Sequence, residues 1–254
     1  MFYLEFGDAE LPPLVLLHGL YGDSWSVAPL AERLADRFHV IAPDALGHGR
    51  SARPEGFVLA DQGWMLNGLV SSLGYESATL VGVSMGSYLA EQAAILEPAR
   101  TSHLVLVVSK AHGTTSSVAA YAKRMGFDLS SATMDEAVEF MASALWAPDT
   151  SAELRESVQA YQPPESVILS PEQRTEVERS LAGFDLRPGL PSITAKTLVI
   201  SGRYDGLNPP ESGEEVAHFI PGARFEVYEH SGHMLAFEEA DRLVADITEF
   251  ALGD

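Results

Sequence analysis

The sequence contains no cysteine among its 254 residues. Disulfide bonds, thiolate metal sites and a cysteine nucleophile are therefore excluded, and packing must stabilise the fold. Basic residues are also scarce, since 16 Lys and Arg stand against 36 Asp and Glu and give a formal charge of −20. This charge repels phosphate backbones and anionic lipid surfaces, so we expect neither nucleic acid nor a membrane as a partner.

Long apolar runs are missing as well. No stretch approaches the roughly 20 consecutive apolar residues that cross a bilayer. The N-terminal residues 1–8 have neither the basic region nor the apolar core of a secretion signal, so we expect a cytoplasmic protein. Hydrophobic residues make up 46% of the chain and charged residues 20%, which is typical of a globular protein. The length suits one α/β domain with an insertion.

Apolar segments alternate with helical patterns along most of the chain. Residues 14–17 form a continuous apolar run, and residues 38–42 and 103–108 are mostly apolar, as expected of strands buried on both faces. The alternation predicts an α/β fold with a mostly parallel sheet and helices on both faces. We expect residues 1–110 and 193–254 to form this core.

Residues 111–192 follow a different pattern. Helical segments at residues 134–146, 152–161 and 171–181 are joined there by proline-rich links without a clear strand, which predicts a helical cap insertion. The insertion has more aromatic side chains than a thin helical layer needs for its own packing. We expect Tyr121, Phe140 and Trp146, together with Trp25 near the N-terminus, to line a substrate pocket. The alternative is that each of them only packs against the core.

One stretch, from Ala78 to Leu89, runs from a strand pattern through Gly-Val-Ser-Met-Gly into a helical pattern. A serine at the tip of such a turn exposes its hydroxyl as a nucleophile. Gly82 and Gly86 fit a tight turn that leaves no room for side chains. The same motif also occurs by chance in ordinary loops, so Ser84 needs partners elsewhere in the chain.

A nucleophilic serine requires a base to take its proton and a third group to orient that base. Asp205 and His233 each follow a predicted strand, in loops expected at the same sheet edge as Ser84. His230 is the nearby alternative base, but the Gly-His pairing favours His233. The histidines lack any spaced ligand pair such as H-E-x-x-H, so we expect no metal site.

The sequence resembles the α/β-hydrolase superfamily over essentially its whole length. The matching motifs are, in chain order, His18-Gly19 with Trp25, Asp44 through Ser51, the Ser84 turn, Gly202 through Asp205, and Gly232-His233 before Glu238. The resemblance implies a sheet of about seven to eight strands. It also implies that Ser84 is the nucleophile, His233 the general base and acid, and Asp205 the orienting carboxylate. The backbone N–H groups of Leu20 and Met85 would form the oxyanion hole.

Serine at position 84 argues against the branches of this superfamily in which an aspartate attacks carbon. The Ser-Met-Gly turn is similar to enol-lactonases, non-metal haloperoxidase-like esterases and meta-cleavage C–C hydrolases. We expect a cofactor-independent hydrolase of a small ester or lactone that forms an acyl-enzyme, as a monomer or homodimer. Two alternatives stay open: hydrolysis of a C–C bond by the same residues, and a ligand sensor that retains them with little turnover.

Overall fold

The structure is a computed structural model that describes residues 1–253. Seven strands within this range are β1 Tyr3–Phe6, β2 Pro13–Leu17, β3 His39–Pro43, β4 Ala78–Val83, β5 Thr101–Val107, β6 Lys196–Gly202 and β7 Arg224–Tyr228. They form one sheet in the order β1-β3-β2-β4-β5-β6-β7. Only β1 runs antiparallel to its neighbour among these strands, so the mostly parallel sheet and the strand number confirm the prediction.

The α-helices of the described residues lie between and after these strands. They are α1 Ala28–Leu34, α2 Leu59–Ser72, α3 Met85–Leu96, α4 Ser117–Met125, α5 Met134–Leu145, α6 Ala152–Ala160, α7 Pro171–Ser180, α8 Pro210–Phe219, α9 Leu235–Glu238 and α10 Ala240–Leu252. Short 3₁₀ turns cover Ser24–Val27, Pro98–Arg100 and Leu190–Ser192. No helix in residues 1–253 combines the length and apolar character needed to traverse a bilayer.

Helices cover both faces of the sheet because its central strands are apolar on both faces. In β2, Val15 and Leu17 belong to one hydrophobic cluster, whereas Leu14 and Leu16 belong to the other. This division follows from the alternation of side chains across a strand. Residues of α2, α3 and α8 complete the first cluster, and residues of α1 and α10 complete the second. The two layers hold the carboxyl edge of the sheet rigidly in place.

The connection between β5 and β6 holds the four helices α4 to α7. Its described residues contribute to no strand and form one isolated bridge, between His112 and Asp185. Three of the helices coincide with the predicted helical segments, whereas α4 is an additional one. The Ser116 hydroxyl caps the start of α4, and Gly126 ends it in the left-handed conformation, with φ of 65°.

Two carboxylates of the core, those of Asp23 and Glu238, hold this connection by partly buried hydrogen bonds. The Asp23 carboxylate accepts hydrogen bonds from the Ser166 hydroxyl and the Val167 amide, both at 2.8 Å. On the other side, Glu238 Oε1 accepts from the Ala147 amide at 2.8 Å. Because carboxylate acceptors form the stronger class of hydrogen bonds, these contacts fix the helical segment over the carboxyl edge of the sheet.

Candidate active site

Ser84 occupies the sharp turn between β4 and α3. Its backbone has φ of 54° and ψ of −116°, a conformation that non-glycine residues rarely adopt. The two flanking glycines are sterically required: a Cβ atom on Gly82 would lie 2.3 Å from the Gly86 carbonyl oxygen, and one on Gly86 would lie 2.4 Å from the Leu17 carbonyl oxygen. The turn thus has the strained form that the sequence motif predicts.

His233 links Ser84 to Asp205. Its Nε2 atom lies 2.9 Å from Ser84 Oγ, and its Nδ1 atom lies 2.8 Å from Asp205 Oδ2. The histidine side chain is 10% exposed and the aspartate side chain is fully buried. With the proton on Nδ1, the neutral imidazole donates to the carboxylate and presents Nε2 as an acceptor for the serine hydroxyl. The structure therefore brings together the three residues that the sequence analysis singled out.

The turn that follows β6 holds the Asp205 carboxylate in place. Its Oδ1 atom accepts hydrogen bonds from the Leu207 and Asn208 amides, both at 2.8 Å. The other oxygen is thereby left to face His233. The turn thus positions the carboxylate to orient the imidazole of His233.

The loop after β7 decides between the two candidate histidines. The Gly232 amide donates to Glu238 Oε2 at 2.7 Å, and a Cβ atom on Gly232 would lie 2.6 Å from the Leu145 carbonyl oxygen. This close approach fixes the loop so that the next residue, His233, reaches Ser84. The His230 side chain is 78% exposed and lies 3.5 Å from Asp149, away from the serine.

Leu20 and Met85 line the same cavity as Ser84. A Cβ atom on Gly19 would lie 3.7 Å from Ser84 Cβ, so the loop after β2 passes directly beside the turn. Met85 is the first residue of α3, and the first amides of a helix have no acceptor within it. The placement agrees with the predicted oxyanion hole, whose role in binding stays a prediction.

Ser84 and His233 open into a cavity of about 1210 Å³ between the carboxyl edge of the sheet and the helical connection. Most of the lining is apolar and includes Met141, Leu145 and Phe184. The cavity is large for a small substrate, because ligand pockets usually measure roughly 300 to 1000 Å³. No group of three or more His, Asp or Glu side chains in the described residues is arranged to hold a metal ion.

The structure corrects the prediction for the four pocket aromatics. None of these described side chains belongs to the cavity lining: Trp25, Tyr121, Phe140 and Trp146. The Phe140 ring lies between two neighbours, with centroid distances of 4.3 Å to Phe127 and 4.8 Å to Tyr121. Trp146 is buried, with 5% of its surface exposed. Trp25 is partly buried, and its indole nitrogen is shielded from solvent. Tyr121 and Phe140 belong to a buried hydrophobic cluster of the insertion with Ala122 and Ala144.

The sequence analysis did not identify two polar residues of the cavity wall, Asn208 and Lys110. Asn208 donates from Nδ2 to the Tyr88 hydroxyl and to the Val108 carbonyl, both at 2.7 Å, and so joins the residue after β5, α3 and the turn after β6. Lys110 also lines the cavity. Both residues follow shortly after a strand, at the sheet edge where ligands bind in α/β folds, and this position is the signal that would have found them.

The comparison with known proteins agrees with this geometry. The α/β hydrolase fold family matches residues 12–240, and the chain belongs to this family. The protein is therefore an α/β hydrolase, which confirms the resemblance that its motifs carry.

Individual relatives include several hydrolases. The chain is 30% identical over 249 residues to the 2-hydroxymuconate semialdehyde hydrolase of Pseudomonas putida, covering 94% of this chain and 86% of the relative. It is 30% identical over 264 residues to the pimeloyl-[acyl-carrier protein] methyl ester esterase of Vibrio parahaemolyticus, covering 97% and 96%. The crystal structure of the enol-lactonase from Burkholderia xenovorans LB400 matches with a TM-score of 0.81 at 24% identity, covering 98% of this chain and 95% of that one. At that identity the enol-lactonase establishes the fold alone.

Proposed function

We propose that the protein is a serine hydrolase that cleaves a small carboxylic ester or lactone through an acyl-enzyme on Ser84. One observation carries the proposal: Ser84, His233 and Asp205 are joined by contacts of 2.9 and 2.8 Å at the floor of an open apolar cavity. A serine hydroxyl gains nucleophilicity from an adjacent imidazole, and the imidazole gains basicity from an ionised carboxylate.

The first half of the reaction forms the acyl-enzyme. Ser84 Oγ attacks the carbonyl carbon while His233 Nε2 takes the hydroxyl proton, and Asp205 stabilises the resulting imidazolium. The carbonyl oxygen becomes an oxyanion, for which the Leu20 and Met85 amides are the proposed donors. When the intermediate collapses, the bond to the leaving oxygen breaks and His233 returns the proton to that oxygen.

The second half restores the free serine. Water attacks the acyl carbon and gives its proton to His233 Nε2. The bond from Ser84 Oγ to the acyl group then breaks, and the imidazolium returns the proton to the serine. This reaction needs no redox step and no second substrate besides water. Ser84, His233 and Asp205 therefore suffice for its proton transfers.

The helical connection has a part in this proposal as a cap over the site. Residues of α5, α6 and α7 line the cavity, among them Met141, Val158 and Glu178. We assign residues 111–192 to the cap and the rest to the catalytic core. Substrate selection then rests on the cap side of the cavity, and chemistry on the sheet side.

A second candidate function is hydrolysis of a C–C bond beside a ketone. It is favoured by the identity of 30% to the Pseudomonas putida relative, whose name gives it a 2-hydroxymuconate semialdehyde as substrate. The esterase of Vibrio parahaemolyticus has the same identity to this chain and supports ester cleavage. The two functions use the same fold, so substrates must discriminate between them.

The experiment compares three substrate classes on the purified protein: short-chain methyl and 4-nitrophenyl esters, small lactones, and a ring-fission dienoate. We expect turnover of esters or lactones, and loss of several powers of ten in kcat when Ser84→Ala removes the nucleophile. Ser71→Ala, on the exposed surface of α2, is the matched control and should retain full activity. Preferred turnover of the dienoate would replace ester cleavage by the second function, and undiminished hydrolysis in Ser84→Ala would overturn both.

A further inference from the structure

Lys110 is one of only three lysines in the sequence, with Lys123 and Lys196. It lies three residues beyond the end of β5 and lines the same cavity as Ser84 and His233. The ends of β4 and β5 are adjacent, since the Ser84 amide donates to the Val107 carbonyl at 2.9 Å. An ammonium group therefore stands in the wall of a largely apolar cavity that also holds the nucleophile.

The Lys110 ammonium is held by a hydroxyl and two aromatic rings. Nζ donates to Ser117 Oγ at 2.8 Å and lies 5.6 Å from the ring centroid of Tyr88 and 5.9 Å from that of Phe184. Burial lowers the pKa of the Lys110 side chain from its ordinary value. An ammonium has three N–H donors, and Ser117 uses one of them, so donors remain for a ligand.

Lys110 also has no carboxylate partner in the described residues. None of the ion pairs within residues 1–253 includes it. Arg33, the other cation of the lining in the described residues, differs in this respect because it pairs with Asp241. Withdrawing a cation partly from water without a counter-charge has a cost in free energy.

The net charge of the chain makes the unpaired charge of Lys110 more unusual. With a formal charge of −20, the protein as a whole repels anions, and its abundant acidic residues make a paired lysine easy to obtain. Within the described residues, Lys110 is the cation of the lining that has no carboxylate partner, and its single charge beside the Ser117 hydroxyl matches a single carboxylate. A phosphate dianion would require more cationic donors than this wall contains.

We propose that Lys110 is a specificity-determining residue that binds a free carboxylate on the substrate, so that the protein prefers an ester or lactone carrying one carboxylate away from the bond that is cleaved. This inference rests on the proposed function, because it names the substrate class of the same site. The carboxylate ion-pairs with the ammonium, while the ester carbonyl lies at Ser84.

The test uses pairs of esters that differ only in charge. Monomethyl succinate, glutarate and adipate are each compared with the neutral methyl ester of equal chain length, and kcat and KM are measured for both. We expect the wild-type protein to favour the anionic member of at least one pair. In Lys110→Met, which removes the ammonium group and keeps an unbranched side chain of nearly the same length, the preference should fall by about 10- to 100-fold, mainly through KM. Lys196→Met removes an exposed charge from the amino end of β6 and should leave the preference unchanged.

A merely structural role has a different signature. If Lys110 served only to hold Ser117 and α4, Lys110→Met would lower activity on both members of a pair alike, and this result would overturn the inference while leaving the proposed function intact. A wild-type protein that favours the neutral esters would also overturn it.

Binding to a protein without its nucleophile separates the two proposals. In the Ser84→Ala background, calorimetry should detect tighter binding of the preferred monomethyl dicarboxylate than of its neutral partner, and Lys110→Met should abolish that difference. This readout needs no turnover, so it decides the role of Lys110 even if the wild-type protein hydrolyses none of the esters.

Discussion

The carboxyl edge of the sheet and the helical connection meet at the same cavity, yet they are built in opposite ways. At the sheet edge, α3 buries nine of its twelve residues. Gly82 and Gly86 also let neighbouring backbone segments pack so closely that no Cβ atom would fit between them. In the connection, α6, all of whose residues are described, buries none. The first region is densely buried, whereas α6 is not, and the connection is attached by a few contacts, among them hydrogen bonds from the Gly206 and Met234 amides to the Ala144 and Leu145 carbonyls.

Under the proposed function, this difference would place the chemistry at the sheet edge and substrate selection in the connection. A nucleophile must stay within hydrogen-bond distance of its base, which requires the rigid support of strands on both sides. A binding surface tolerates substitution, because one more or one fewer apolar contact changes affinity only modestly. We therefore expect substitutions at the sheet edge to alter kcat, and substitutions in the connection to alter KM or stability.

The largest effect is expected at Asp205. Asp205→Asn should lower kcat by about 10⁴-fold, because an amide cannot hold the imidazole in the tautomer that accepts the serine proton. Asp149→Asn, which changes the exposed acid beside His230, is the matched control and should have no effect. The measurement is steady-state kinetics on the best ester. A loss of less than tenfold in Asp205→Asn would show that another acid orients His233.

The next effect concerns a carboxyl group buried behind the Ser84 turn. Glu91 Oε1 lies 2.5 Å from Ser109 Oγ, Ser109 Oγ lies 2.8 Å from Ser87 Oγ, and Ser87 Oγ lies 2.5 Å from the Ser84 carbonyl oxygen. Three contacts need three protons, and the two serines supply only two. The third must come from a protonated Glu91, which agrees with the raised pKa of about 8 that its burial causes.

Protonation of Glu91 makes stability depend on pH. The pKa is about 8 in the folded state and 4.5 in the unfolded chain, so the folded state binds the proton more tightly. The free energy of unfolding should therefore fall as pH rises from 4.5 to 8, by at most about 5 kcal/mol. Glu91→Gln should remove most of this fall, whereas Glu76→Gln on the surface should retain it. Equal pH slopes for wild type and Glu91→Gln in urea denaturation would show that Glu91 is ionised.

A smaller effect tests the corrected role of the aromatic residues. Phe140→Ala should lower the free energy of unfolding by about 3 kcal/mol, because it empties a stacked cluster, with little change in KM. Its neighbour Met141 lines the cavity, so Met141→Ala should raise KM for esters several-fold and cost less stability. Denaturation curves and kinetics on both variants decide the question. A larger change in KM for Phe140→Ala than for Met141→Ala would return Phe140 to the pocket.

The contrast between the sheet edge and the helical connection also explains which features could be predicted from the sequence. Gly82, Ser84 and Gly86 were identifiable because the turn leaves no alternative residue types, and Asp205 and His233 because each follows a strand at a fixed sheet edge. The parallel sheet followed from apolar runs alternating with helical patterns. These features depend on local backbone geometry, which a sequence expresses directly.

The pocket lining was not predictable in the same way. An aromatic residue on an amphipathic helix, such as Phe140, has the same periodicity whether it faces a ligand or another ring. The start of α4 depends on a Ser116 cap within a polar run, which gives only a weak helical signal. Lys110 was visible as a lone charge after β5, but its lack of a carboxylate partner is a property of the tertiary structure.

The most direct test of the central claim is covalent labelling with a fluorophosphonate, which reacts with serines activated by a neighbouring base. Peptide mass spectrometry should find a single adduct, on Ser84, that appears in step with the loss of hydrolysis. The adduct should be absent in Ser84→Ala and form far more slowly in His233→Ala. Loss of hydrolysis with the adduct on a different residue, or full labelling of Ser84 with hydrolysis intact, would contradict the assignment of Ser84 as the nucleophile.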